Sequence, residues 1–487
     1  MTQKPVPLDA LFDHTPSPLG EGLPDPILHE ASVLALRQRS LNFAAKRFAD
    51  MLYVSGLDHA RADEHFRWRV IAAPGGLSAR TAGNDSIGLS AARRAGHIRI
   101  ETDHADQRVA VIWDDPSAGS TLVGSAIARP GYGGILLGEH AVPRFDPRPP
   151  SRQLDGAARD WPLGGAVEKP PPPPVKLVAA LNSLFDRCQG LYGILIASPE
   201  KVLVERYSSF SGPQRVTPSW SMNKAFTCTL IGRLVHEGWL RSVYDPAAAP
   251  LWCDRRSIHS LITLDHLLRM RSGLAFPVRH EDGAVTLGFE NSAVYHDATD
   301  AFEAAQRSIV AAVPGTVFRY VNSGVNVLGA IVRNAIERKG LAYQQTVYGL
   351  LADRLGMASY QCSADIAGNL IASGAAFATL RDYAKLGVLY LQDGMWNGER
   401  LLPEGWAEYA LTATHTGTSY AACFRTNMDR LFPDLPQDTA WASGASDQRI
   451  FILRRHWLTV AVANETDYPM DLAALNKVIA IAIAELR

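Results

Sequence analysis

Five consecutive prolines, residues 170–174, interrupt the chain about one third of the way along its 487 residues. Proline fixes φ and lacks a backbone N–H, so such a run forms a stiff, extended spacer and no core element. A chain of this length is expected to contain two or three domains. The run therefore predicts an N-terminal accessory α+β region over residues 1–165, a proline-rich linker over 166–176 and a larger domain over 177–487.

The composition narrows the class of partners. Hydrophobic residues make up 47% of the chain and charged residues 20%, and the net charge of −1 gives no field that would attract nucleic acid or an anionic membrane. There is no basic segment followed by an apolar run at the start, and no stretch of about eighteen apolar residues. The five cysteines form no Cys-x-x-Cys pair and no zinc-like cluster. We predict a soluble cytoplasmic protein with no metal or other cofactor and with neither nucleic acid nor membrane as a partner.

Apolar patterning predicts how the domain over 177–487 is built. Pairs of strands occur near both of its ends, with a long helical section between them, which implies one sheet assembled from the two chain ends. The strands are predicted over 191–197, 202–207, 448–453 and 457–463, and flanking helices over 176–188 and 472–486. In the N-terminal region a helix is predicted over 27–51 and a hairpin over 97–113, but no catalytic constellation is found there.

The tetrapeptide Ser221-Met-Asn-Lys224 places a hydroxyl and an amine three residues apart, where side chains share one face of a helix. A serine nucleophile needs a partner that removes its proton, and a neighbouring amine can help to do so. Residues 225–235 are mostly apolar and Gly238 suits a helix C-terminus, so a buried helix is predicted with the motif in its first turn. Serine is also a favoured helix N-cap, so these four residues alone leave a structural role open.

Other motifs for hydrolysis are absent or incomplete. A second Ser-x-x-Lys, Ser198-Pro-Glu-Lys201, has proline at its second position and is interpreted as a hairpin turn. Gly417-Thr-Ser-Tyr-Ala421 lacks the last glycine of a nucleophile elbow, and His236-Glu237 is not followed by the second histidine of a zinc protease motif. An α/β-hydrolase triad and metal-dependent hydrolysis are therefore both disfavoured.

Further segments follow Ser221-Met-Asn-Lys224 in a characteristic order. They are Ile262-Thr-Leu-Asp-His-Leu-Leu-Arg-Met-Arg-Ser-Gly-Leu274, Pro314-Gly-Thr-Val-Phe-Arg-Tyr-Val-Asn-Ser323, Leu355-Gly-Met357, Gly374-Ala-Ala-Phe-Ala-Thr-Leu-Arg-Asp-Tyr-Ala-Lys-Leu-Gly387 and Trp396-Asn-Gly-Glu-Arg-Leu-Leu-Pro403. With these segments the chain from about residue 177 resembles the serine β-lactamase-like hydrolases. That family includes class C β-lactamases, penicillin-binding DD-peptidases, esterases and 6-aminohexanoate-dimer hydrolases, and the last two are the most similar branch. The resemblance implies an α/β (α+β) fold with a central antiparallel sheet flanked by helices and an all-helical subdomain.

The resemblance also implies roles for individual residues. Ser221 corresponds to the acylated nucleophile, Lys224 to the motif lysine and Tyr320 to the tyrosine of the family's Tyr-x-Asn motif. Tyrosine is a weak base at neutral pH, but a neighbouring ammonium stabilises its phenolate. Asn322, the asparagine of that motif, is expected to bind substrate or to serve in a turn.

The family's third element lies on a strand beside the pocket and aligns here with Ala442-Ser443-Gly444. By this alignment Gly444 contacts substrate, and the backbone N–H groups of Ser221 and Ala445 form the oxyanion hole. The segment that follows resembles the 6-aminohexanoate-dimer hydrolase branch, which commonly has glycine where Asp447 stands. The aligned strand carries no cation where β-lactamases have lysine, so the anchor for a β-lactam carboxylate is missing and efficient β-lactamase activity is not expected.

The predicted function is hydrolysis of an ester or amide bond of a small molecule through a Ser221 acyl-enzyme. The alternatives are an acyltransferase with the same site, a DD-peptidase or β-lactamase-type activity, and a binding protein on a hydrolase scaffold. Loops over 278–297 and 412–437 are expected to form the pocket walls. The N-terminal region, whose Trp161-Pro-Leu-Gly-Gly165 is similar to a junction in some relatives, covers the cleft, supports a homodimer or stabilises the fold.

Overall fold

The computed structural model describes residues 28–29, 33–66, 88–154, 159–165, 167–168, 170–279, 285–288, 296–414, 419–465 and 468–486. Its α-helices are α1 (Val33–Ala49), α2 (His59–His65), α3 (Leu89–Arg94), α4 (Val175–Arg187), α5 (Asn223–His236), α6 (Leu264–Leu268), α7 (Ala301–Gln306), α8 (Asn322–Glu337), α9 (Tyr343–Val347), α10 (Leu380–Leu391), α11 (Trp406–Leu411) and α12 (Leu472–Glu485).

The strands form several small sheets and one large one. They are β1 (Leu28–His29), β2 (Ile98–Asp103), β3 (Arg108–Asp115), β4 (Ser120–Arg129), β5 (Gly133–Leu136), β6 (Leu191–Ala197), β7 (Val202–Tyr207), β8 (Thr217–Pro218), β9 (Leu274–Arg279), β10 (Val285–Gly288), β11 (Ile309–Val310), β12 (Gln361–Cys362), β13 (Ala376–Ala378), β14 (Met395–Trp396), β15 (Glu399–Arg400), β16 (Arg425–Thr426), β17 (Ala440–Ser443), β18 (Arg449–Leu453) and β19 (Leu458–Asn464).

The large sheet has the strand order β16-β17-β18-β19-β6-β7 and is antiparallel throughout. Its central pairing joins the two chain ends, with Val462 of β19 opposite Ile194 of β6. Helices α4 and α12 bury apolar side chains against one face, and α10 packs on the other. At Gly387 of α10 an added Cβ would lie 1.9 Å from Thr459 Oγ1, so helix and sheet are in close contact there. The predicted antiparallel sheet flanked by helices is confirmed.

The second Ser-x-x-Lys motif lies in the turn between β6 and β7. The Ser198 N–H donates to the Lys201 carbonyl at 2.9 Å, and Ser198 Oγ accepts hydrogen bonds from the amides of Glu200 and Lys201. The hydroxyl therefore closes a hairpin turn, as the proline at its second position predicts.

The N-terminal region contains the antiparallel sheet β2-β3-β4-β5, which α1 crosses. The predicted hairpin over 97–113 is confirmed by β2 and β3. The predicted helix over 27–51 begins too early, because Leu28–His29 pairs with β9 instead, Leu28 lying opposite Val278. Pairing with a distant strand overrides local helix propensity at these two residues.

The same region packs against the rest of the protein. Ile127, Ile135 and Leu137 belong to the apolar cluster that also contains α5. Lys46 of α1 is buried and donates to Asp50 at 3.0 Å and to Ser363 at 3.1 Å. Residues 170–174 contain neither helix nor strand, and Pro174 has the extended dihedrals φ −51° and ψ 145°. The division into domains at this point stays a prediction.

Candidate active site

Ser221 lies in a single 3₁₀ turn, Trp220–Met222, between β8 and the buried helix α5. The sequence predicted a helix with Ser221 and Lys224 in its first turn. The structure begins α5 at Asn223, two residues after Ser221, so Lys224 is the second residue of the helix. Trp220 has a left-handed φ of +47°, an unusual conformation for a large side chain. As predicted, Gly238 follows the helix in the left-handed conformation (φ +68°), with its N–H bound to the Val235 carbonyl.

Lys224 is 1% exposed, and its Nζ has three oxygen partners. It lies 2.9 Å from Ser221 Oγ, 2.6 Å from Asn322 Oδ1 and 2.6 Å from the Ser373 carbonyl oxygen. A buried ammonium requires such partners, because an unpaired charge away from water is strongly disfavoured. The serine and lysine of the motif are therefore in direct contact, as their spacing predicts.

Tyr320 and Asn322 lie on the chain entering α8. The Tyr320 ring centroid is 4.9 Å from Lys224 Nζ, so the ring presents its face to the amine. Asn322 is 4% exposed and is the first residue of α8. The amide oxygen of Asn322 accepts a hydrogen bond from Lys224, so Asn322 has a structural role beside the nucleophile. The predicted contact of Asn322 with substrate stays a prediction.

The strand side of the site is formed by the end of β17 and the turn that follows. Gly444 donates its N–H to the Gln448 carbonyl at 2.8 Å, and Ala445 begins a short 3₁₀ turn that packs against the turn of Ser221. A Cβ at Gly444 would lie 2.1 Å from the Ser219 carbonyl oxygen. The two backbone segments therefore approach so closely that only glycine fits without a shift.

Asp447 adopts a left-handed φ of +65°, a conformation that glycine adopts with the least strain. Aspartate tolerates this conformation better than most residues. Its carboxylate pairs at 2.6 Å with the buried guanidinium of Arg449. The side chain thus neutralises a charge that would otherwise be buried alone.

A cavity of about 240 Å³ lies in front of Ser221. The residues that line it include several that the sequence motifs singled out, namely Ser221, Tyr320, Ser443, Gly444 and Ala445. Lys224 and Asn322 are not among the lining residues and lie behind Ser221.

Three further lining residues were missed, namely Tyr420, Cys423 and Arg425. They lie in the expected wall segment 412–437, but no motif distinguished them within it. The other expected wall, 278–297, lies largely outside the described residues.

Two of the missed side chains are held in their neutral forms by the surroundings. Burial raises the pKa of the Cys423 thiol to about 12, although Lys224 and Arg269 act in the opposite direction. Burial likewise raises the pKa of Tyr420 well above its ordinary value. Because a thiol must ionise to be a good nucleophile, Cys423 is unsuited to attack a substrate, and Ser221 is left as the better candidate.

The N-terminal region contacts Trp220, the residue that precedes Ser221. The ring of Phe43 stacks on Trp220, and the Arg47 guanidinium carbon lies 5.2 Å from the Trp220 ring centroid. Both residues belong to α1. Sequence reasoning missed this contact, because nothing local in residues 33–49 indicates a partner about 175 residues away.

The sequence matches the family Beta-lactamase over residues 193–484. The chain belongs to the β-lactamase family. The family consists of serine β-lactamase-like hydrolases, so the protein is a hydrolase of that kind, as the resemblance predicts. No curated protein matches the chain.

One solved structure supports the same fold, and two others are reported for comparison. A Bacillus anthracis protein named as a 6-aminohexanoate-dimer hydrolase has a TM-score of 0.54 at 18% identity, over 69% of this chain and 89% of its own. A Bacteroides dorei protein named as a β-lactamase has 0.49 at 18% identity, over 63% and 97%. The D-stereospecific amidohydrolase from Streptomyces sp. has 0.46 at 16% identity, over 63% and 98%. The likeness in fold rests on the Bacillus anthracis structure.

In the ranges that the structure describes, no group of three or more His, Cys, Asp or Glu residues is arranged to hold a metal ion. Within those same ranges, none of the helices has both the length and the apolar character needed to cross a membrane.

Proposed function

We propose that the protein hydrolyses an ester or amide bond of a small molecule through an acyl-enzyme on Ser221. The observation that carries this proposal is the 2.9 Å contact between Lys224 Nζ and Ser221 Oγ at the wall of the cavity. A serine hydroxyl beside a buried amine has the partner that a nucleophile requires.

Lys224 can exchange a proton with Ser221 while it keeps its other two contacts. Asn322 Oδ1 and the Ser373 carbonyl oxygen only accept hydrogen bonds, so two N–H groups of Lys224 serve them in either protonation state. Toward Ser221 Oγ an ammonium donates, whereas a neutral amine accepts the hydroxyl proton through its lone pair. The lysine therefore changes protonation state without moving.

Tyr320 is the second member of the proposed base. Lys224 Nζ lies over its ring, 4.9 Å from the centroid, so the two side chains are neighbours beside Ser221. Tyr320 and Lys224 together take the Ser221 proton as Oγ attacks the carbonyl carbon, and they return it to the leaving alcohol or amine. Water, deprotonated by the same pair, then cleaves the acyl-enzyme and restores the Ser221 hydroxyl.

The oxyanion is proposed to bind the backbone N–H groups of Ser221 and Ala445. Both residues line the cavity, and the turns that carry them pack together where Gly444 meets Ser219. Donors fixed by backbone packing need no reorganisation when charge develops on the substrate oxygen, which makes such a site an effective catalytic element.

The test compares Ser221→Ala with Ser198→Ala, since Ser198 belongs to the other Ser-x-x-Lys motif. The panel contains p-nitrophenyl esters, short linear amides, 6-aminohexanoate oligomers and a chromogenic cephalosporin. We expect Ser221→Ala to abolish turnover and labelling by a serine-reactive phosphonate, with Ser198→Ala unchanged. Labelling retained at another serine would contradict the proposal, and an acyl product formed only with an added amine would identify an acyltransferase instead.

A further inference from the structure

One of the oxygen atoms that hold Lys224 belongs to a loop, residues 371–375, which forms neither helix nor strand and leads into β13. The Ser373 carbonyl oxygen of this loop accepts a hydrogen bond from Lys224 Nζ at 2.6 Å. The backbone turns sharply beside it, since Ala375 has a left-handed φ of +58°. A loop has no ladder of its own hydrogen bonds to fix the direction of a carbonyl group. The position of the Lys224 amine therefore depends on what holds the loop.

The helix that follows Ser221 holds the loop through successive carbonyl groups. Asn223 Nδ2 donates a hydrogen bond to the Ile371 carbonyl at 3.0 Å. Thr227 Oγ1 donates to the Ala372 carbonyl at 2.7 Å. The amine of Lys224 then binds the next carbonyl along the chain. Three consecutive carbonyl groups of the loop are thus bound by side chains of α5.

Helix α8 holds the same loop through an amide group. Asn326 of α8 is fully buried, and its Oδ1 accepts a hydrogen bond from the Ser373 N–H at 3.1 Å. This N–H and the Ala372 carbonyl belong to one peptide group, so Thr227 and Asn326 bind the two polar groups of the same peptide. Because a peptide group is planar and rigid, two such contacts fix its orientation. They also fix where the chain continues, and with it the direction of the Ser373 carbonyl.

The amide of Asn326 uses only part of its hydrogen-bonding capacity. Within the residues that the structure describes, its Nδ2 has no hydrogen-bond partner. An unpaired buried donor is destabilising, whereas an apolar side chain would bury no such group. The contribution of Asn326 at this place is therefore the acceptor oxygen that it offers to Ser373.

We propose that Asn326 and Thr227 are positioning residues for Lys224. They clamp the peptide that precedes Ser373, so that the Ser373 carbonyl faces Lys224 Nζ. A lysine side chain has several rotatable bonds, and an amine without a fixed acceptor would occupy several positions. The clamp thus keeps the amine 2.9 Å from Ser221 Oγ. The inference rests on the proposed function, because it assigns the support of the proposed base.

The geometry is tested first, without catalysis, in crystal structures of the full-length protein. Asn326→Ala removes the acceptor of the Ser373 N–H, and Thr227→Val removes the donor to the other end of the same peptide with little change in shape. In each variant we expect the Ser373 carbonyl to turn away and Lys224 Nζ to move from Ser221 Oγ by about 1 Å or more, a displacement that is large for catalysis. Thr227→Val also serves if Asn326→Ala fails to fold.

Asn476→Ala is the matched control for the loss of a buried asparagine. Asn476 lies on α12, is 5% exposed, and likewise accepts a backbone N–H, that of Asp434, at 3.2 Å. Its replacement removes a hydrogen bond of the same kind on the other side of the large sheet from α10. The contacts of Lys224 should be unchanged in this variant.

Kinetics with p-nitrophenyl acetate then measures whether the position of the amine matters. Asn326→Ala and Thr227→Val should each lower kcat about 10- to 100-fold with KM unchanged, because the loss arises in the chemical step. Thr227→Ser keeps the hydroxyl and should recover most of the rate lost in Thr227→Val. Since the two side chains hold one peptide, their effects on kcat should be less than additive in the double variant.

Each outcome decides the proposal. An unmoved Ser373 carbonyl in both variants overturns the clamp. A displaced carbonyl with unchanged kcat, or a higher KM at the same kcat, overturns the positioning of Lys224. A displaced Lys224 amine in a protein without Ser221-dependent turnover upholds the clamp and rejects the proposed hydrolysis alone.

Discussion

The rings of Phe43 and Trp220 are stacked, with 6.2 Å between their centroids and an angle of 17° between their planes. Phe43 belongs to α1, far from the family match that begins at residue 193, whereas Trp220 immediately precedes Ser221. Because Trp220 holds a left-handed φ, its side chain must be kept in place by its surroundings. The N-terminal helix thus supports the turn that carries the proposed nucleophile.

Phe43→Ala should therefore slow the reaction of Ser221 as well as destabilise the fold. Phe43 is 6% exposed, and loss of a buried phenylalanine typically costs about 3–5 kcal/mol. We expect phosphonate labelling of folded protein to slow about tenfold or more, since misorientation of a reacting group by a small distance is costly. Leu41→Ala is the control, because fully buried Leu41 lies on the same helix but faces a different side. Equal slowing in both variants would point to a general loss of stability.

Lys224→Met should abolish most turnover, with kcat/KM lowered by about 10²- to 10⁴-fold, because the proton acceptor beside Ser221 is lost. Lys385→Met is the matched control. Lys385 is also fully buried and bonded, at 2.8 Å to Asp382, but it lies on α10 outside the cavity. Its removal should cost about 3–5 kcal/mol of stability and leave turnover per folded molecule unchanged. Activity titrated against folded protein separates the two effects, and equal loss in both variants would argue against a catalytic role for Lys224.

Gly444→Ala should disrupt the proposed oxyanion site through backbone displacement. The new Cβ would lie 2.1 Å from the Ser219 carbonyl oxygen, so β17 must move away from the turn of Ser221. We expect kcat to fall about 10²-fold, the effect typical of losing one oxyanion donor. At Gly349 an added Cβ meets no atom within 4 Å, so Gly349→Ala should keep wild-type kinetics. An unchanged kcat for Gly444→Ala would place the oxyanion elsewhere.

Local patterns predicted β6, β7, β18 and β19 of the large sheet to within two residues, because apolar runs bounded by turn residues are local signals. They did not predict the short strand β16, and β17 was located only through the family resemblance. Ordered motifs likewise predicted that Ser221, Tyr320 and Ala445 lie together, and all three line the same cavity. Their catalytic roles stay predictions. Arg425 and the contact of Phe43 with Trp220 could not be predicted in this way. Both depend on which distant segments meet in the folded chain, and neither residue stands in a motif.

The fold also contains a buried titratable group whose effect on stability can be measured. His296 is 3% exposed, lies 5.2 Å from the ring of Phe43, and within the described residues has no hydrogen-bond partner for either ring nitrogen. Burial, reinforced by the charge of Arg39, lowers its pKa to about 3. The side chain therefore remains neutral in the folded protein at a pH where an unfolded chain binds a proton.

This difference predicts loss of stability in acid. The unfolded chain protonates His296 near pH 6.5 and the folded protein only near pH 3, so the stabilising contribution is complete above about pH 6.5 and is lost as the pH falls towards 3. The slope approaches about 1.4 kcal/mol per pH unit for one proton. The urea midpoint of unfolding of His296→Leu should exceed that of wild type by more at pH 4.5 than at pH 7.5. The midpoint of His97→Leu, a substitution at an exposed site, should change with pH in the same way as that of wild type. A difference between His296→Leu and wild type that does not vary with pH would show that protonation of His296 is not coupled to unfolding.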